Sequence, residues 1–408
     1  MAKTLFYNVP GHGHINPSLP LVAELVHRGH QLTYFATENY RAIVEATGAA
    51  FRPYAAVHDN YFDARGLSGS VPGKVAYELI TTAGEILPAL LEIARAEQPD
   101  YIMFDGMCPW GLLLARILGL PAVASLSLMV LPARGLLNLQ VVRDFLPNVM
   151  RDFAKGMEAN KRSQALGRKY GIAPLGPASL LNAYGDISFS YTSSYFQPFA
   201  STVSKSIHFV GWTVTDPPTD PAFTFEQVQG RRLIYVSLGT INNDDAAFFK
   251  TCIEAFAGAD DFVIMTTGNR IRPESFGTLP KNVVVRGWVP QTAILQRVSL
   301  FITHAGMNSV HDGLYYGVPL LLVPQQAEQM FTARRVVQLG AGLILRKAEV
   351  NAQLVRETSA RLLSDTQFRL QATRIGETLR ATGGMTRAAD EIEDLLRKHT
   401  GGRVQPLG

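Results

Sequence analysis

Cysteine is scarce: the chain of 408 residues has only Cys108 and Cys252, far apart and without a Cys-x-x-Cys spacing. That argues against a disulfide framework or a thiolate zinc site and makes a reducing cytoplasm the expected setting. Blocks of like charge are missing too. Lys and Arg number 38 against 34 Asp and Glu, and the pI is near 9.0, but no long single-sign run exists to grip nucleic acid, so none is expected as a partner. Long apolar runs are equally absent. The charge-free stretch Ile117 to Ala133 is broken by Pro121 and Pro132 and carries Ser125 and Ser127, which argues against a spanning helix and stable membrane insertion. The apolar opening, Thr4 to Val9, is too short for a signal peptide. A Gly-x-Ser-x-Gly elbow, which would supply a serine nucleophile, does not occur.

What is present is an ordinary globular composition, with 47% apolar and 18% charged residues, long enough for two to three domains of about 150 residues. The first segment alternates strand and helix. Leu5 to Val9 reads as a strand and Gly11-His12-Gly13-His14 as a loop, after which Asn16 caps a helix with Pro17 at its first position. Leu19, Val22, Ala23 and Val26 fall on one helical stripe, Arg28-Gly29-His30 closes it, and Gln31 to Ala36 is the next strand. Tyr101 to Phe104 and Ala122 to Ala124 continue the series around a helix from Gly111 to Leu118.

The pattern stops near Trp212, where Thr213 to Gln229 is rich in turn signals such as Asp216-Pro217-Pro218. A second series follows, with strands at Leu233 to Ser237, Phe262 to Met265, Val283 to Val285, Leu300 to Thr303 and Pro319 to Val323. The α/β reading is therefore an N-terminal Rossmann-like domain over 1–212, a linker over 213–229 and a second Rossmann-like domain over 230–384. The segment 385–408 holds an amphipathic helix, with Ala388, Ile392, Leu395 and Leu396 on its stripe, expected to pack back on the first domain. Parallel sheets of this kind place ligands beyond the carboxyl ends of their strands, so chemistry is expected in a cleft between the two domains.

A dinucleotide fingerprint fails, because Asn16 stands where the third glycine belongs, and Glu38 is only a loosely spaced candidate for a ribose ligand. His14 is more informative. It sits at the carboxyl edge of the first strand, and Asp105 ends another strand at the same edge, so the two read either as a base with the acid that orients it or as unrelated polar residues. With no serine elbow to activate, the proton donor for such a base is a hydroxyl on a bound acceptor.

The second half is denser. Trp288-Val289-Pro290-Gln291 offers a flat ring for a nucleobase; Gln291 and Asp312 offer polar groups for ribose hydroxyls. His304 and the backbone amides following Gly306, those of Asn308 and Ser309, offer donors for a phosphate at a helix N-terminus. Glu328 and Gln329 offer acceptors and donors for sugar hydroxyls. Each residue alone also fits a structural role: Trp288 in a core, His304 and Ser309 at a helix start, Glu328 and Gln329 on a solvated turn. Their alignment over the 42 positions from Trp288 to Gln329 is what a structural role does not explain.

Taken together, Gly11-His12-Gly13-His14-Ile15-Asn16-Pro17 and the Trp288 to Gln329 segment resemble the inverting UDP-glycosyltransferases of family one, with the GT-B fold, and most closely their bacterial macrolide-glycosyltransferase branch. The resemblance spans essentially the whole chain. It implies that His14 deprotonates an acceptor hydroxyl with Asp105 as partner. It further implies that Ser237 to Thr240, His304, Gly306, Asn308 and Ser309 hold the diphosphate, that Trp288 and Val289 with Gln291 and Asp312 hold the nucleoside, and that Glu328 and Gln329 hold the sugar, which is expected to be glucose. One departure is Asp312, where the family usually carries glutamate; aspartate is a methylene shorter, which alters the ribose contact.

No Asp-x-Asp triplet occurs, so neither a metal nor any other cofactor is expected. Phe51, Tyr54, Tyr61, Phe62, Tyr77 and Met129, with the Phe145 to Phe153 region, suggest an apolar acceptor pocket for a flavonoid, macrolide or terpenoid alcohol. The other readings are a sugar-nucleotide epimerase, which needs no acceptor, and a non-catalytic nucleotide-sugar binder that helps a partner enzyme. Oligomeric state leaves no legible signal.

Overall fold

A computed structural model describes the chain except residues 56, 62–64, 66–71, 131–151, 215–227, 229, 240–242 and 402–408. The chain divides into two compact units. The first comprises Met1–Tyr191, Phe199–Thr213 and Thr382–Gly408, and the second Thr192–Pro198 and Val214–Ala381.

The first unit is built on a seven-stranded parallel sheet in the order β3-β2-β1-β4-β5-β6-β7. Its strands are β1 (Lys3–Tyr7), β2 (Gln31–Ala36), β3 (Ala50–Pro53), β4 (Tyr101–Asp105), β5 (Ala122–Leu126), β6 (Ile187–Ser190) and β7 (Ile207–Phe209). β4 and β5 are apolar nearly throughout because a parallel sheet covered by helices on both faces exposes neither, and both are buried along their whole length. Helix Pro72–Glu97 lies against helix Phe153–Tyr170 and helix Pro109–Leu118, closing a core that contains Leu79, Leu87, Phe104, Trp110 and Leu113.

The first helix starts earlier than the sequence pattern places it. It runs His12–His27 with Gly11 as its N-cap, so Asn16 does not cap it, and Pro17 and Pro20 lie inside. The amides of His14 and Ile15 both reach the Gly11 carbonyl at 2.9 Å. Pro17 and Pro20 each remove one helical amide donor, but the first turn ahead of them keeps its own bonds. His14 thus belongs to the first helical turn rather than to a loop ahead of it.

The C-terminal helix Gly384–Gly401 belongs to the first unit. Ala388 and Ile392 of its stripe are fully buried. Arg28 donates to Asp390 (2.6 Å), Glu393 (3.3 Å) and the Thr386 carbonyl (3.0 Å).

The second unit carries a six-stranded parallel sheet, β10-β9-β8-β11-β12-β13. Its strands are β8 (Leu233–Ser237), β9 (Phe262–Thr266), β10 (Val283–Arg286), β11 (Leu300–Thr303), β12 (Leu320–Leu322) and β13 (Gly342–Ile344). Its core includes Val236, Phe249, Met265, Ile302 and Leu321. Thr192–Pro198, which sequence reading assigns to the first domain, groups with this unit: Arg335 donates to the carbonyls of Tyr195 and Phe196, both at 2.6 Å. Most of the expected linker, 215–227 and 229, lies outside the described residues. Among the described residues, no helix is long and apolar enough to cross a membrane.

In both sheets the strand order reverses once, between β1 and β4 and between β8 and β11. Beyond the carboxyl ends at such reversals the flanking loops diverge and leave room for a ligand.

Candidate active site

In the first unit, the reversal brings together the two residues expected to pair. His14 follows β1 and Asp105 ends β4, its direct neighbour. The His14 Nδ1 lies 3.1 and 3.0 Å from the two carboxylate oxygens of Asp105. An ionised carboxylate only accepts, so Nδ1 carries the proton and Nε2 is the ring's basic nitrogen. Asp105 is completely buried, whereas the His14 side chain retains 13% of its surface. The Met107 amide donates to Asp105 at 2.8 Å, so the carboxylate is tied to backbone as well as to the imidazole.

Further residues support the pair without having announced themselves in the sequence. Ser127, just past β5, places its Oγ 2.7 Å from His14 Nδ1 and donates to Asp105 Oδ2 at 3.2 Å. Sequence reading noted it only as a polar break in an apolar stretch. Asn8 donates to the His14 carbonyl at 3.3 Å and to the Tyr34 hydroxyl at 2.7 Å, and that hydroxyl also meets Ser18 at 2.8 Å. This buried network fixes the turn that carries His14. Because Asp105 keeps two oxygens on Nδ1 without Ser127, Ser127→Ala is expected to lower kcat by less than about tenfold, in line with one hydrogen bond of modest net worth; steady-state kinetics checks it.

In the second unit, the reversal builds a cage around His304. Gly239 (φ +78°) and Gly306 flank the ring: a Cβ on Gly239 would lie 2.5 Å from His304 Cε1, and one on Gly306 2.4 Å from Nε2. Ala305 beside it holds φ +67°, a left-handed conformation that costs a non-glycine residue energy and marks a constrained site. Burial pushes the His304 pKa down to about 4, while a hydrogen bond with the Ser237 backbone acts in the opposite direction. The ring is therefore neutral at ordinary pH. The Ser237 side chain accepts from the Gly239 amide at 3.2 Å. Thr240 lies outside the described residues.

Helix Met307–Tyr315 starts immediately after this cage, with Gly306 as an N-cap that offers no side-chain acceptor. Asn308 and Ser309 stand in its first turn, where backbone amides and the positive end of the helix dipole favour an anion.

Trp288, at the carboxyl end of β10, is 57% exposed, so it is not a core residue; Val289 beside it is buried. Gln291 begins helix Gln291–Leu295 and donates to Asp312 Oδ2 at 2.8 Å. Its amide is set by Tyr235, whose hydroxyl donates to Gln291 Oε1 at 3.4 Å and meets the Thr266 hydroxyl at 3.0 Å. Burial raises the Tyr235 pKa to about 12, keeping it a donor. Tyr235 and Thr266 escaped sequence reading because both sit within apolar strand patterns. Glu328 is exposed in the first turn of helix Ala327–Gln338, and Gln329 is buried. The Gln329 Oε1 accepts the Gln325 amide at 2.8 Å, which leaves its amide nitrogen as the group to present to a ligand.

The expected acceptor residues are less coherent. Phe62 and residues 145–151 lie outside the described residues. Tyr77 accepts from Arg162 at 2.9 Å and lies under Lys155 Nζ at 4.1 Å, so its ring and hydroxyl serve helix packing. Met129 is half-buried two residues beyond Ser127, and Tyr54 and Tyr61 are core. Glu38 is spent on Arg41 at 2.5 and 3.2 Å. Among the described residues, no cluster of three His, Cys, Asp or Glu side chains is placed to hold a metal ion.

Residues 250–395 match the family model described as erythromycin biosynthesis protein CIII-like, C-terminal domain. The chain is 30% identical to an uncharacterized UDP-glucosyltransferase of Bacillus subtilis, over 98% of this chain and 99% of that protein. It is 29% identical to the oleandomycin glycosyltransferase of Streptomyces antibioticus, over 100% and 94%. The crystal structure of the calicheamicin glycosyltransferase CalG4 superposes with a TM-score of 0.83 at 31% identity, covering 100% of both chains.

Proposed function

From a chain that belongs to the family-one glycosyltransferases of the GT-B fold, we propose a defined reaction: transfer of glucose from UDP-glucose to a hydroxyl of a small apolar natural product, a macrolide or flavonoid alcohol, with inversion at the anomeric carbon. The observation that carries the reading is the His14–Asp105 hydrogen bond at the reversal of the first sheet. It is a base already held in the tautomer that accepts a proton on Nε2. The glycine-caged His304 and the helix start beside it support a diphosphate site in the second unit, and the similarity to a UDP-glucosyltransferase and to oleandomycin and calicheamicin glycosyltransferases supports a nucleotide-sugar donor and a natural-product acceptor.

The acceptor oxygen attacks the anomeric carbon, its proton passes to His14 Nε2, and the bond to the diphosphate breaks with its electron pair leaving on UDP. Asp105 stabilises the imidazolium that forms. Developing charge on the diphosphate falls on the first-turn amides after Gly306. Fixed donors of this kind take the place of a metal, so the reaction runs without one.

UDP release from UDP-glucose, measured in EDTA with a panel of phenolic and macrolide alcohols, tests this reading. Acceptor-dependent release is expected. Conversion of the UDP-sugar without any acceptor and without net UDP release favours the epimerase, and bound UDP with neither release nor donor conversion favours a non-catalytic binder.

A further inference from the structure

His311 has no part in the reaction above, yet it is fully buried in the middle of the helix whose first turn is assigned to the diphosphate. Its Nδ1 lies 2.7 Å from the Met307 carbonyl, and its Nε2 lies 2.8 Å from the Thr192 hydroxyl. A carbonyl only accepts, so the proton sits on Nδ1 and Nε2 accepts from Thr192. Burial pushes the His311 pKa down to about 4, which keeps this neutral tautomer in place at ordinary pH. Phe196 packs edge-on against the ring, with centroids 4.8 Å apart.

Thr192 is not on a loose end. The Thr192–Pro198 segment is fixed to the second unit at several other points: the Ser193 and Thr378 hydroxyls meet at 2.8 Å, Arg335 donates to the Tyr195 and Phe196 carbonyls, and Arg374 lies over the Tyr195 ring. Met307 is the first residue of its helix, and Asp312, next to His311, accepts from Gln291. A rigidly held hydroxyl therefore acts through one imidazole on the carbonyl of the first helical residue, in the turn that presents Asn308 and Ser309.

We infer that Thr192 and His311 are positioning residues of the donor site, a buried hydroxyl–imidazole–carbonyl relay that fixes the first turn of helix Met307–Tyr315 and so sets affinity for the diphosphate. The inference rests on the reading of that turn as the diphosphate site. It separates two effects that a purely structural role would move together, loss of an anchor of the Thr192–Pro198 segment and loss of donor affinity.

The test compares Thr192→Val, Thr192→Ser and Thr378→Val. Valine keeps the shape of threonine and removes the hydroxyl; serine restores it; Thr378→Val cuts a different anchor of the same segment, one that does not touch His311. Thr192→Val is expected to raise the donor KM and the UDP Kd about five- to twentyfold, the scale set by losing a buried hydrogen bond. Its kcat stays within about twofold of wild type, on the same argument that the relay touches no reacting atom. Thr192→Ser is expected to recover wild-type values and Thr378→Val to leave donor affinity unchanged. Unchanged donor KM and UDP Kd in Thr192→Val, or an equal rise in Thr378→Val, overturns the relay. A wild-type chain that binds no UDP overturns the diphosphate reading itself, and the relay with it.

Discussion

His14→Ala is expected to lower kcat by about 10²- to 10⁴-fold, the usual contribution of a positioned general base, while leaving the UDP Kd within about twofold, since the base acts on the proton in flight and not on nucleotide binding. The expectation follows from geometry: two carboxylate oxygens and the Ser127 hydroxyl converge on Nδ1, so the ring has one orientation and one basic nitrogen. Alanine leaves the acceptor proton with no recipient. Asp105→Asn is the sharper companion. It preserves shape and replaces a group that holds the Nδ1–H tautomer by one that can donate to Nδ1 instead, so kcat is expected to fall while the fold stands. Isothermal titration with UDP alongside steady-state kinetics separates the two quantities. Turnover at the wild-type level in His14→Ala would refute the assignment of the base.

The second large effect concerns the donor. Gly239→Ala and Gly306→Ala each bring a methyl group to within 2.5 Å of the His304 ring, a separation that requires the ring or the loop to move. Gly239 carries an added strain, because its φ of +78° costs an L-residue about 1–2 kcal/mol. Either substitution is expected to raise the donor KM by at least about tenfold, as a displaced phosphate contact would, with little change in the acceptor KM. The two halves of the reaction are thus expected to be separable by mutation, with turnover falling in the His14 and Asp105 variants and donor capture falling in the glycine variants. A donor KM that survives both substitutions would show that the phosphate sits elsewhere.

Much of this was legible in the sequence, for reasons that differ by element. β8 and β11 are legible to the residue because a strand buried on both faces is an apolar run with sharp polar ends. His14 and Asp105 were readable as a pair because each stands where such a run stops, and parallel strands stop at one edge. Of the motif that runs from Trp288 through His304 to Asp312, the structure joins Gln291 to Asp312 by a hydrogen bond.

The start of the first helix is hidden in the sequence because proline favours the first helical position, and only the Gly11 carbonyl, taking two amides, shows that the helix begins ahead of Pro17. Ser127 carries no signature, since a serine after a buried strand has many uses and its partners lie 22 and 113 positions away. The grouping of Thr192–Pro198 with the second unit is not legible in the sequence because its anchors, Thr378, Arg335 and His311, are more than a hundred residues distant. The acceptor residues were least legible. Aromatic residues in irregular segments look alike whether they face a ligand or a core, and Tyr54 and Tyr61 turned out to serve the core.

The proposed reaction is a direct displacement, in which the acceptor oxygen takes the place of the diphosphate on the opposite face of the sugar. The measurement that tests it is the anomeric configuration of the glucoside formed from α-linked UDP-glucose in EDTA, read by proton NMR during the reaction. A β-glucoside is expected from the first turnover. An α-glucoside, or no product until a divalent metal is restored, would contradict it.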